Sequence, residues 1–178
     1  APRPAESETV AALVAEHAVT HLQCTPSLAA MLSADPADRA ALGTIGHLML
    51  GGEALPAALG KDLRAVLPGR FTNMYGPTET TIWSLVHEIV DVESNSIPIG
   101  RPIANTTVHV LSPGMHDRPI GAFGELFIGG DGVAPGYHER PELTTDRFVE
   151  HRGAGRLYAT GDVVRVHPDG HVEFAGRA

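Results

Sequence analysis

Cysteine is almost missing from this 178-residue chain: Cys24 stands alone. A disulfide framework within the chain is therefore excluded, and so is a cysteine-rich structural zinc site. Cys24 sits in an apolar stretch before Thr25-Pro26, where packing rather than reactivity is expected. Positive charge is also scarce. Lys and Arg number 13 against 21 Asp and Glu, a formal net charge of -8, so no basic footprint for nucleic acid is present. No apolar run approaches the roughly 20 residues that a membrane-crossing helix needs. The polar start, Ala1-Pro2-Arg3-Pro4-Ala5-Glu6-Ser7-Glu8, carries neither an initiator Met nor a signal-peptide core. The acidic Glu6 and Glu8 read as a solvated helix end. No Gly-x-Ser-x-Gly elbow is present, which leaves a hydrolase triad unsupported. Internal repeats and low-complexity segments are lacking too. Together these absences predict a cytoplasmic protein that binds neither nucleic acid nor membrane. Ten histidines are present, but no further Cys, His or carboxylate completes a ligand set around the pairs His17/His21 or His167/His171.

Hydrophobic residues at 43 % and charged residues at 19 % suffice for one domain or two small lobes. The texture changes midway, near Ser96. In the first part, spacing predicts helices over Ser7 to His17, Pro26 to Leu32 and Leu55 to Leu67, with Ser7 or Thr9 as the first N-cap. It predicts strands over Val19 to Leu22, Ile45 to Leu50 and Phe71 to Tyr75. Such alternation implies parallel pairing. The second part reads as mostly β: Thr106 to Leu111, Gly124 to Ile128, and Val163 to Val166 paired with His171 to Phe174 across Pro168-Asp169-Gly170. The expected fold is α/β: part of a parallel-sheet lobe over residues 1–95, then a β-rich, barrel-like lobe over 96–178.

Three segments could carry chemistry. Asn73-Met74-Tyr75-Gly76-Pro77-Thr78-Glu79-Thr80-Thr81 is a strand end broken at Gly-Pro. Ligands sit at the carboxyl ends of strands in open α/β sheets. A Thr hydroxyl suits a phosphate oxygen and a Glu carboxylate suits Mg²⁺. A polar turn with a capping Thr explains the same residues. Tyr158-Ala159-Thr160-Gly161-Asp162 offers an Asp at a strand start that can accept both ribose hydroxyls, or simply a turn former. Gly51-Gly52-Glu53-Ala54 lets a ligand approach backbone closely, or is a tight strand-to-helix turn.

In this order, together with Gly124-Glu125-Leu126-Phe127-Ile128-Gly129-Gly130-Asp131-Gly132-Val133-Ala134-Pro135-Gly136-Tyr137 and Pro141-Glu142-Leu143-Thr144-Thr145-Asp146-Arg147-Phe148, the segments resemble the adenylate-forming (AMP-binding) enzymes. The wording Asn-x-Tyr-Gly-Pro-Thr-Glu is most similar to adenylation domains of nonribosomal peptide synthetases. The resemblance runs from about His17 to Arg177. It implies part of the large subdomain of an enzyme that joins a carboxylate to ATP, releases pyrophosphate, and passes the acyl group to a carrier-protein thiol.

It also implies residue roles. Gly52 and Asn73 would lie beside the adenine, with Tyr75 stacked near adenine or ribose and Phe174 as a further aromatic. Thr78 would touch the α-phosphate and Glu79 would hold Mg²⁺. Asp162 would bind the ribose hydroxyls, and Arg177 would reach ribose or phosphate. Gln23, Met49, Gly51, Met74, Ile82 and Trp83 would line the acid's side-chain pocket. Met49, Met74 and Trp83 are bulky and no counter-charge is present, so glycine is the expected substrate. Met and Trp packing a core explains the same residues. Ala159 departs from the family's usual Arg or Lys. Neither the phosphate loop ending in Lys nor the small subdomain with its lysine lies within these residues. The chain is therefore expected to be a piece that is inactive alone. Alternatives within the resemblance are an acid–CoA or carrier-protein ligase, and a non-catalytic or interrupted adenylation remnant.

Overall fold

The computed structural model describes residues 9–93 and 95–178. These form two compact units that are interleaved in sequence. One holds the described residues up to Asn73 with those of Glu88–Ile97, and the other holds Met74–His87 with Pro98–Ala178.

The first unit runs α1 (Val10–Glu16), β1 (His21–Cys24), α2 (Pro26–Ala34), α3 (Pro36–Leu42), β2 (His47–Gly51), α4 (Ala57–Arg64) and β3 (Arg70–Tyr75), whose last two residues belong to the second unit. Caps set the helix starts. Thr9 accepts a hydrogen bond from the Ala12 amide, while Ser7 lies outside the described residues. Pro26 stands in the first turn of α2, as the sequence predicts, and Thr25 caps that helix. α3 is additional to the predicted helices: Asp35 accepts from the amides of Ala37 and Asp38, and Pro36 follows in the first turn. β1 and β2 pair in parallel, His21 opposite His47, and β3 lies beside β2. Along β2, Leu48 and Leu50 are fully buried while Met49 is half-buried. Ala29, Ile45, Leu63 and Phe71 share that core. Full burial of each Leu, Ile or Phe side chain contributes about 1.5–3 kcal/mol.

The second unit contains the short strands β4 (Leu85–Glu88, whose last residue belongs to the first unit) and β5 (Arg101–Pro102), paired antiparallel. It continues with β6 (Thr106–Leu111), β7 (Gly124–Gly130), α5 (Pro141–Arg147), β8 (Phe148–His151), β9 (Gly155–Val166) and β10 (Val172–Arg177). The larger sheet is antiparallel, in the order β10-β9-β7-β6, with β8 also on β9. It stays open, so the barrel-like lobe of the sequence reading is an open sheet and not a closed barrel. The predicted hairpin forms across Pro168-Asp169-Gly170, where Gly170 supplies a φ of +86°. β9 is longer than expected at 12 residues. Asp162 thus lies inside a strand, opposite Arg177, rather than at a strand start. Leu126, Ile128, Val164 and Val172 form the core with Leu85 and Ile99. Among the described residues, no helix is long and apolar enough to cross a membrane.

Candidate active site

After Tyr75 the chain doubles back. The Ser84 amide donates to the Tyr75 carbonyl at 2.8 Å, and the amides of Thr80 and Ile82 donate to the Pro77 carbonyl. A Cβ on Gly76 would stand 2.4 Å from the Ile82 carbonyl oxygen, so only glycine fits the bend. The bend forms a short 3₁₀ turn over Thr78–Thr80. Thr81 and Ile82 follow at φ of 63° and 71°. Two consecutive β-branched residues there are genuine outliers, each costing on the order of 1–2 kcal/mol. Hydrogen bonds hold the strained turn. Thr80 and Ser84 share one between hydroxyls (2.6 Å), the Thr81 hydroxyl donates to the Gly132 carbonyl (2.8 Å), and the Ala134 amide donates to the Glu79 carbonyl (2.8 Å). Strain held this firmly is a mark of functional turns.

Two polar constellations lie on this unit. In the first, the Tyr75 hydroxyl donates to Oδ2 of Asp162. Nε of Arg177 stands 3.1 Å from Oδ1 of that carboxylate. Asp162 is buried, whereas the Arg177 side chain is 76 % exposed and also donates to the Thr160 carbonyl at 3.3 Å. The Asp162 amide donates to the Thr160 hydroxyl (3.0 Å), which donates to the Leu126 carbonyl (2.7 Å). Burial first, and the Asp162 carboxylate second, push the Tyr75 hydroxyl well above the usual phenol range, so it remains a donor.

In the second constellation, the Tyr137 hydroxyl donates to Oε1 of Glu79 at 2.5 Å, and the Tyr158 hydroxyl lies 3.5 Å from that of Tyr137. Burial works to raise the Glu79 carboxyl. The hydrogen bond from Tyr137, then a backbone hydrogen bond, the Tyr158 hydrogen bond and the charge of Arg147 outweigh it and hold the group below the ordinary carboxylate range. Both tyrosine hydroxyls are pushed up, by burial first and then by their neighbours, the Glu79 carboxylate among them. The guanidinium groups of Arg147 and Arg177 both approach Gly161: a Cβ there would lie 3.5 and 3.6 Å from their nitrogens.

The remaining predicted residues are placed as follows. Thr78 is exposed on the 3₁₀ turn, and Phe174 is half-buried opposite Val164. Met74 is buried, Trp83 half-buried and Ile82 exposed at 55 %. In the first unit, Gln23 pairs with Met49 across β1 and β2, which sets two of the predicted pocket residues side by side. Gly51 is buried at the end of β2, and Gly52 is exposed with φ +86°. Asn73 is buried on β3. The adjoining Glu53 braces the first turn of α2, accepting from the amide and hydroxyl of Ser27 (3.0 and 2.5 Å). Ala159, where the resemblance expects a cation, is buried among Leu111, Phe127 and Leu157. Tyr137, Tyr158, Thr160 and Arg147 have no role assigned from sequence. All four stand in the quoted motifs, but spacing alone does not connect Tyr137, Tyr158 or Arg147 to Glu79, nor Thr160 to Leu126.

Among the described residues no group of three His, Cys, Asp or Glu side chains could enclose a metal. Glu79 is a single ionised carboxylate on a fixed turn. That donor set fits Mg²⁺ held by one carboxylate together with ligand phosphates.

A family model described as AMP-binding enzyme matches residues 1–138. Tyrocidine synthase 3 of Brevibacillus parabrevis is 40 % identical over 171 residues, covering 93 % of this chain and 3 % of the relative. The dimodular nonribosomal peptide synthase of Bacillus subtilis (strain 168) is 40 % identical over 177 residues, covering 97 % of this chain and 7 % of the relative. This chain therefore spans only a small part of the curated relatives it matches. Among solved structures, an NRPS protein containing adenylation and PCP domains superposes with a TM-score of 0.87 at 31 % identity, over 94 % of this chain and 35 % of that one. A four-domain nonribosomal peptide synthetase bound to AMP and glycine gives a TM-score of 0.87 at 38 % identity, over 95 % of this chain and 13 % of that one.

Proposed function

The chain belongs to the AMP-binding enzyme family, and from that membership we propose that it serves as part of the large subdomain of an amino-acid adenylation domain in a nonribosomal peptide synthetase. In the proposed reaction a carboxylate oxygen of the amino acid attacks the α-phosphorus of ATP. The bond to the bridging oxygen breaks and pyrophosphate leaves. A carrier-protein thiol then takes the acyl group and releases AMP.

The observation that carries this reading is the turn after β3. It starts at Tyr75, whose hydroxyl holds the buried Asp162, and it presents an ionised Glu79. A carboxylate has about four lone-pair positions, so Asp162 can accept two ribose hydroxyls while Tyr75 stays bonded. Arg177, mostly exposed, can exchange its contact with Asp162 for ribose or phosphate. Thr78 donates to the α-phosphate. Gly52, Asn73, Tyr75 and Phe174 frame the adenine. Glu79 would hold Mg²⁺, which when bound would offset negative charge on the phosphates. The first unit supplies the α/β lobe and the second the β-rich lobe.

Glycine is the proposed substrate, with Gln23, Met49, Gly51, Met74, Ile82 and Trp83 lining its pocket. Forcing a methyl into a packed pocket costs about 1–3 kcal/mol, or roughly 10- to 200-fold against alanine. A structural relative at 38 % identity carries AMP and glycine. The proposed partner is a carrier-protein domain, as in the adenylation–PCP relatives, in a cytoplasmic setting. The test is amino-acid-dependent ATP–pyrophosphate exchange by the full-length protein with glycine, alanine, larger amino acids and aryl acids, alongside the 178 residues alone. Exchange led by glycine, with the shorter chain silent, is expected. Exchange led by an aryl or fatty acid would replace this reading with the acid ligase. Exchange by the 178 residues alone would refute the expectation that they are catalytically incomplete.

A further inference from the structure

Tyr137 is fixed from three sides. Gly136 adopts φ +143°, and a Cβ there would meet Thr144 Cγ2 at 2.4 Å, so the chain passes flush against α5. The Tyr137 amide donates to the Thr144 hydroxyl (2.9 Å), which itself donates to the Arg140 carbonyl (2.9 Å). The Tyr137 ring stands edge-on to Phe148, centroids 5.5 Å apart, and Phe148 also packs on Tyr158 at 5.1 Å. The ring therefore delivers its hydroxyl to Oε1 of Glu79, 2.5 Å away, with the Tyr158 hydroxyl farther off at 3.5 Å.

Chain tethering does not require this contact. The Ala134 amide and the Thr81 hydroxyl already tie the turn to the segment after β7. What the tyrosine adds is orientation of the carboxylate, which it shares with Tyr158 and a backbone hydrogen bond at Glu79. A carboxylate has about four lone-pair positions, so the bonds from Tyr137, Tyr158 and the backbone still leave one for a cation. Groups that bond a metal ligand from behind fix its orientation, and their loss typically lowers metal affinity or activity about 10- to 100-fold.

We infer that Tyr137, with Tyr158 behind it, is a positioning residue that sets the Glu79 carboxylate towards a divalent cation shared with the nucleotide phosphates. The inference rests on the reading of Glu79 given above, and it adds the residues that aim it.

The test uses the full-length protein as wild type, Y137F, E79Q and Y137F/E79Q. Binding of Mn²⁺ in the presence of α,β-methylene-ATP is followed by electron paramagnetic resonance, with no turnover required. Y137F is expected to weaken Mn²⁺ binding about 10-fold or more, and to raise the half-saturating Mg²⁺ in exchange assays in step. The KM for the amino acid should not move. In the E79Q background, Y137F should add nothing. Y158F, which leaves the Tyr137–Glu79 bond in place, should shift Mn²⁺ binding in the same direction by less. Unchanged Mn²⁺ binding in Y137F overturns the inference, as does an equal loss with and without Glu79. If Y137F does not fold, an unshifted Y158F overturns it. Wild type that binds Mn²⁺ with this dependence on Tyr137 but exchanges with no acid leaves the inference standing and refutes the proposed function.

Discussion

Replacing Tyr75 with Phe removes one hydroxyl and keeps the ring, which isolates the bond to Asp162. Asp162 is buried, with 10 % of its side chain exposed, so water replaces the lost donor poorly. The Arg177 contact at 3.1 Å remains, but it comes from a side chain 76 % exposed and is screened. A hydrogen bond to a charged group is worth about 1.5–3 kcal/mol. The expected cost of Tyr75→Phe is therefore about 2 kcal/mol, roughly a 30-fold loss in the folded-to-unfolded ratio. Urea denaturation of wild type, Y75F, D162N and the double variant would measure it. If the two groups act through each other, the double variant loses less than the sum of the singles by about 1 kcal/mol or more. AMP binding by the full-length protein should also weaken about 10-fold in Y75F, equivalent to about 1.4 kcal/mol, because the carboxylate is no longer held for the ribose. A Y75F protein as stable as wild type, or strictly additive single variants, would refute the reasoning.

Gly100→Ala should be among the most damaging single methyl additions. Its Cβ would stand 1.9 Å from the Val86 carbonyl oxygen, at a φ of +98°. Backbone strain of about 1–2 kcal/mol adds to overpacking of about 1–3 kcal/mol; a denaturation midpoint unmoved from wild type would contradict this. The Asp62 carboxyl is held down at about 2, first by the Arg39 guanidinium and then by the Ser33 hydroxyl. Because the folded-state value is the lower one, the stabilisation is complete above about pH 4, the ordinary Asp value, and is lost as pH falls from there through about 2. The pair is partly exposed, so the amount is at most about 1 kcal/mol. D62N should flatten the stability curve in that window, and parallel curves would refute the assignment. Trp83→Ser should raise alanine-dependent exchange relative to glycine by about 10-fold or more, the scale of one methyl in a packed pocket; an unchanged ratio would remove Trp83 from that pocket.

Elements with a strong local signal were legible in the sequence. The Pro168-Asp169-Gly170 hairpin, the buried run of β2 and the Pro26 start of α2 all follow from local chemistry. α5 was not legible, because Pro-Glu-Leu-Thr-Thr-Asp-Arg buries nothing and so shows no apolar period. α3 carried its signal in Asp35-Pro36, but seven residues are too few for periodicity to register. β9 was read short because Gly161 interrupts it with a φ of +74°. The Tyr-Gly-Pro-Thr-Glu turn stood out by composition. Its partners did not, because Tyr137 lies 58 positions beyond Glu79 and Asp162 lies 87 beyond Tyr75. Only the folded sheet brings such pairs within a hydrogen bond.

The most direct test of adenylation is an isotope transfer. The full-length protein is given ATP and glycine labelled with ¹⁸O in its carboxylate, and hydroxylamine takes the acyl group. If the carboxylate attacks the α-phosphorus, the released AMP carries one ¹⁸O atom. Unlabelled AMP, or ADP in its place, would contradict the account.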